Sequence, residues 1–155
     1  MRWILALVLC AASAAAQKYT GPQPPRADLP FLVHADNLEP TEDLVANEQE
    51  RKDEILYTVK GASSPARTPL ASPIFLLKAE KLDPSRLQLF KLDSRNGQRE
   101  ILFRKKKNNA RPIRITVTRL SQDNLYRIEV DESLENGEYS LSPEGLNQVF
   151  CFQVY

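Results

Sequence analysis

Strict alternation of apolar and polar residues marks a strand with one buried face, because successive side chains of extended backbone point to opposite sides. The clearest case is Ile113, Ile115 and Val117 against Arg114, Thr116 and Thr118, followed across a polar loop by Tyr126, Ile128 and Val130 against Arg127 and Glu129. This pair predicts a hairpin. Ile55, Tyr57 and Val59 alternate with Leu56, Thr58 and Lys60 and stop at Gly61, ahead of a loop holding Pro65 and Pro69. Pro73 precedes Ile74-Phe75-Leu76-Leu77, an unbroken apolar run suited to a strand buried on both faces. Leu87 to Leu92 and Arg99 to Arg104 flank residues 93–98, whose Asn96-Gly97 pair favours a tight reversal with positive φ and predicts a second hairpin. Gly137 to Leu141 gives a short strand, and Val149 to Tyr155 closes the chain with Phe150, Phe152 and Val154 on one side. The expected fold is all-β: a single antiparallel β-sandwich, immunoglobulin-like in general architecture, of about seven to eight strands with almost no helix.

Ahead of Glu54 the pattern is weaker. Residues 17–30 hold Pro22, Pro24, Pro25 and Pro30 with Gly21, a composition that favours polyproline-like backbone and reads as an exposed arm or linker. Phe31 to Ala35 predicts one short strand before a turn at Asp36-Asn37. Thr41 opens the polar run Glu42 to Glu54, which fits a short exposed helix capped by Thr41 or a mobile acidic loop. The expected organisation is thus a signal at 1–16, a proline-rich arm and acidic segment at 17–53, and the sandwich at 54–155.

The signal is read from Arg2 as a short positive region, Trp3 to Leu9 as an apolar core, and Ala12-Ser13-Ala14 or Ala14-Ala15-Ala16 as a cleavage site. Its apolar stretch is shorter than the roughly 20 residues needed to cross a bilayer, so cleavage is expected rather than anchoring. Leu9, in place of a small residue before Cys10, argues against a lipid anchor. The expected location is periplasmic or extracellular, with no transmembrane span in the mature chain. With Arg2 removed, the 21 basic and 20 acidic residues of the whole chain come into balance, which excludes a global polycation or polyanion role. Cys10 leaves with the signal, so Cys151 stands alone, either buried or paired between chains.

The phrase Glu135-Asn136-Gly137-Glu138-Tyr139-Ser140-Leu141, followed by Val149-Phe150-Cys151-Phe152-Gln153-Val154, resembles the ending of uncharacterised bacterial exported proteins in which a GEY-x-L strand and a final F-x-F-x-V strand pair within a β-sandwich. Residues Arg67-Thr68-Pro69-Leu70 and Pro73-Ile74-Phe75-Leu76 are similar to such proteins as well. The resemblance implies compartment and fold, and no activity.

The inventory for catalysis is poor. His34 is the only histidine, no glycine elbow surrounds a serine, and Cys151 lies mid-strand among aromatics where a thiol is inert. The chain is therefore expected not to be an enzyme and to need no cofactor; a hydrolase whose carboxylates converge only in the fold is the catalytic alternative. His34, Asp36 and Glu39 have an H-x-D-x-x-E spacing, better read as a solvated loop than as a metal site, since zinc prefers more His and Cys and calcium denser oxygen ligands. Charge is more suggestive. Residues 99–119 carry Arg99, Arg104, Lys105, Lys106, Lys107, Arg111, Arg114 and Arg119 against the lone acid Glu100, whereas residues 36–54 carry eight acids against Arg51 and Lys52. The candidate binding surface is accordingly Arg104, Lys105, Lys106, Lys107, Arg111 and Arg114, facing an anionic envelope polymer or an acidic protein partner. The blander reading is that the two patches neutralise one another and that the lysines protect sheet edges. Nucleic acid is not expected, because the loop lacks interleaved aromatics for base stacking. The proline-rich arm offers a third idea, oligomerisation by docking on a neighbouring copy.

Overall fold

The computed structural model describes residues 18–106, 109–121 and 123–155. The expected signal at 1–16, Gln17 and Lys107 lie outside them. Among the described residues thirteen strands form two packed sheets: β1 (Phe31–His34), β2 (Asn37–Pro40), β3 (Glu42–Val45), β4 (Asn47–Arg51), β5 (Glu54–Lys60), β6 (Arg67–Thr68), β7 (Ile74–Lys78), β8 (Leu87–Arg95), β9 (Gln98–Arg104), β10 (Ile115–Ser121), β11 (Leu125–Val130), β12 (Gly137–Pro143) and β13 (Gln148–Val154). Among the described residues there is no α-helix, and none is long and apolar enough to cross a membrane. One sheet has the order β10-β11-β7-β1-β2 and the other β3-β13-β12-β8-β9-β5-β4; pairing is antiparallel except for β6, which runs parallel to β13.

Both predicted hairpins form. β8 and β9 turn through Asn96 (φ 51°) and Gly97 (φ 75°), the doubly positive geometry that an Asn-Gly pair adopts at little cost. β10 and β11 pair from Ile115↔Val130 to Ser121↔Leu125, with a bulge at Arg119 to Ser121.

The N-terminal part corrects the expectation of seven to eight strands. The run Glu42 to Glu54 is neither helix nor loop: β3 pairs with β13 and β4 pairs with β5. All five residues of β4 are exposed, so the strand buries no face and leaves no periodic trace; backbone hydrogen bonds hold it, and its charges protect an open edge. Thr41 caps no helix. It is buried, and its Oγ1 (2.7 Å) and N–H (3.1 Å) both donate to the Pro30 carbonyl. The sheet body therefore begins at Phe31 rather than at Glu54.

The arm is also docked rather than free. Pro24, Leu29 and Pro30 are buried. Asp28, with φ 57°, accepts hydrogen bonds from the backbone N–H groups of Glu80, Lys81 and Leu82. Partial burial works against the charge of this carboxylate, but the three amides outweigh it and hold its pKa below the usual range.

Two hydrophobic clusters result. The first lies between the sheets and joins Leu32, Phe75, Leu77 and Ile128 to Leu89, Tyr139, Leu141, Phe150 and Phe152. Phe75 meets Phe152 edge-on at 5.0 Å, and Tyr139 stacks on Phe152 at 5.6 Å.

The second follows from connectivity. β3 and β4 occupy opposite ends of the larger sheet, yet only Ala46 separates them in the chain. The sheet must curl until its edges meet at that residue. β8 allows this by changing partners, pairing with β12 through Leu92 and with β9 from Asp93. Inside the curl lie Ala46, Val59, Leu92, Val149 and Cys151, with Leu44, Tyr57 and Ile101 packed on them.

Candidate functional site

The basic loop meets the acidic segment directly. Lys105 Nζ lies 2.5 Å from Glu50 Oε1, Lys106 Nζ 3.7 Å from Asp53 Oδ1, and Arg104 Nε 3.4 Å from Glu54 Oε1. The Lys105 N–H also donates to the Asp53 carbonyl at 2.8 Å. The register of β5 against β9 places Glu54 opposite Arg104, so charges segregated in sequence cancel in space. Contact with Lys105 lowers the pKa of Glu50, as an opposite charge must. Arg111 and Arg114 lie apart from these pairs, exposed on the connection into β10, with no ion pair among the described residues. Three of the six candidate residues are thus engaged by the protein's own carboxylates.

Arg99, counted in sequence with the surface cations, is fully buried. It closes one end of the curled sheet. Its Nη1 and Nη2 donate to Glu42 at 2.7 and 3.3 Å, Nε to the Gly61 carbonyl at 2.9 Å and Nη2 to the Lys60 carbonyl at 2.8 Å. Gly61 has φ 91°, which presents two successive carbonyls to one guanidinium. Burial alone opposes the charge of Arg99, but the Glu42 hydrogen bond and the nearby carboxylates raise its pKa. Glu138 Oε2 is 3.7 Å from Arg99 Nη1 and accepts the Ser64 N–H at 3.0 Å. Its Oε1 is buried and accepts no hydrogen bond from the described residues, and desolvation raises its pKa. Cys151 beside them is completely buried, and burial pushes its thiol up to about 12, far from the thiolate needed for nucleophilic chemistry.

The other end of the curl is open. There a cleft of about 160 Å³ is lined by Ala46, Tyr57, Phe90, Ile101, Phe103 and Val149, with Gln88, Ser142 and Asn147 as polar positions. Phe103 meets Tyr57 edge-on at 5.8 Å and Phe90 at 5.5 Å. Burial first, and then the Glu48 carboxylate, raises the Tyr57 pKa, so its hydroxyl stays protonated. Leu146, in the turn from β12 to β13, adds an exposed apolar lip. Glu144, the only charged side chain in the lining among the described residues, pairs with Arg86 at 3.5 Å. The backbone is fixed there as well, since the Ala46 N–H donates to the Asn147 carbonyl at 2.7 Å.

Sequence patterning did not find this cleft, because its lining comes from strands far apart in the chain. The one available signal was the apolar content of both faces of β13, where Val149 and Cys151 alternate with Phe150 and Phe152 although a two-layer sandwich needs only one apolar face. His34 Nδ1 lies 3.5 Å from Glu39 Oε2, and Asp36 does not join them; among the described residues no group of three or more His, Cys, Asp or Glu is placed to hold a metal. No protein-family model matches the chain, and neither curated proteins nor solved structures give a match.

Proposed function

We propose that this protein is an exported, non-enzymatic binding module of the cell envelope whose ligand contact is the cleft at the open end of the curled sheet. The carrying observation is the cleft itself, a concave, aromatic-lined space beside the exposed Leu146. Ligand sites are typically concave and mostly apolar with a few polar groups, and barrel mouths are among their usual places. Export rests on the residue pattern of 1–16 and on the resemblance of the C-terminal strands. The absence of catalysis rests on the buried thiol and the lone histidine, which sits beside Glu39 rather than beside a nucleophile.

A second reading, contact with an anionic polymer or acidic protein, is favoured by Arg111 and Arg114, the exposed cations outside the ion-paired loop. One experiment separates the two. Purified protein is used to capture partners from solubilised envelope at low and high salt, beside an Arg111→Glu/Arg114→Glu variant and a Ser142→Phe variant whose ring fills the cleft. The cleft reading expects a salt-resistant partner lost only from the Ser142→Phe variant. A partner released by salt and lost from the Arg111→Glu/Arg114→Glu variant overturns it in favour of the charged surface.

A further inference from the structure

We infer that the cleft takes an uncharged aromatic ring carrying one hydrogen-bonding substituent, a phenol-like group, and this inference rests on the binding reading above. Size is the first argument. Apolar cavities of about 150 Å³ stay dry and accept one benzene ring, and this cleft is of the same order at about 160 Å³. It is too small for a fused polycyclic ligand or a long acyl chain to enter whole.

The lining gives the second argument. Tyr57, Phe90 and Phe103 already pack edge to face at 5.5–5.8 Å, the arrangement that the quadrupoles of aromatic rings favour. A ligand ring beside them extends the same pattern, whereas a linear aliphatic group gains only area.

Charge gives the third. No cation lines the cleft, so a carboxylate or phosphate would lose its hydration without a partner. Among the described lining residues Glu144 is the only anion, and Arg86 already pairs with it, while the Glu48 carboxylate lies at the Tyr57 hydroxyl rather than in the lining, so a cationic ligand gains little. Gln88, Ser142 and Asn147 supply hydrogen-bonding positions for one polar substituent. The far end of the curl is sealed by the Arg99, Glu42 and Glu138 network, which leaves the Leu146 side as the entrance.

The test is a titration followed by NMR at the methyl groups of Ala46, Ile101 and Val149. The probes are 4-methylphenol, 1-hexanol, hexanoate and tetramethylammonium. 4-Methylphenol is expected to shift all three residues saturably, with a dissociation constant on the order of 1 mM, as befits so few non-hydrogen atoms. Hexanoate and tetramethylammonium are expected to bind at least about tenfold more weakly. Ser142→Phe should abolish the shifts. Leu146→Ser, a change at a residue 58% exposed in a turn, should weaken them about threefold. Equal or tighter binding of hexanol, hexanoate or tetramethylammonium overturns the ring class and leaves the cleft standing as a binding site. No saturable shift with any probe, or undiminished binding by both variants, overturns the ring class and the cleft reading together.

Discussion

The two apolar clusters share β8 and β13, take opposite faces of β13, and reach different ends. Between the sheets, Phe150, Phe152 and Tyr139 meet Phe75 and Ile128, all essentially without exposure, and the space is closed. Inside the curl, Val149 and Cys151 from the same β13 meet smaller residues, a buried guanidinium with two carboxylates at one end, and an unfilled cleft at the other. The first cluster has the uniform close packing that stabilises a domain. The second combines buried charge with unfilled apolar volume, a combination that costs stability and suits a site.

The largest expected effect tests that division. Phe152→Ala removes a ring held between Phe75 and Tyr139 and should cost about 4 kcal/mol in urea unfolding. Val149→Ala, at a wall of the cleft, should cost only about 1 kcal/mol, because less apolar volume is removed and the cleft wall is incompletely packed. Comparable losses from the two would mean that the second cluster is as tightly filled as the first.

How far each cluster was legible in the sequence follows the same line. The sandwich and both hairpins could be read because their strands carry period-two burial and an Asn-Gly reversal, which are local signals. β4 could not, since Asn47–Arg51 buries nothing and its place is set only by pairing with β5. Arg99 read as one more surface cation because nothing local distinguishes it from Arg104, five residues on along the same strand. Only the curl at Ala46 brings Glu42, from another strand, to meet it. The cleft is less local still, with walls contributed by β5, β8, β9, β12 and β13.

Of intermediate size are the effects at the buried network. Glu42→Ala leaves the Arg99 guanidinium in the interior with two carbonyls and the more distant Glu138, and should cost about 3 kcal/mol. Glu138→Gln should cost much less at neutral pH, since an amide still accepts the Ser64 N–H. Its pH dependence carries the sign. Desolvation raises the folded-state pKa of Glu138, so the stability linked to its protonation is fully present below the unfolded carboxyl value of about 4.3 and is lost as pH rises through the folded value. The stability of wild type relative to Glu138→Gln should therefore fall as pH rises through that window. Denaturant midpoints at a series of pH values measure it, and a relative stability that instead rises with pH would show that Arg99 dominates the carboxyl.

The smallest expected effect is the sharpest contrast with that network, because contact distance is held nearly constant while burial changes. Lys105 and Glu50 approach as closely as Arg99 and Glu42, 2.5 against 2.7 Å, but the Lys105 side chain is 42% exposed and that of Arg99 not at all. Water screens the first pair, and ordering two long side chains offsets what attraction remains, so exposed pairs contribute little. Lys105→Ala should change unfolding free energy by no more than about 0.5 kcal/mol, and the change should shrink further in high salt. A loss comparable to that of Glu42→Ala would mean that the loop is pinned to the acidic hairpin as a structural element. The Lys105 N–H to Asp53 carbonyl bond survives the substitution and holds the backbone in place, which is the physical reason to expect the small value.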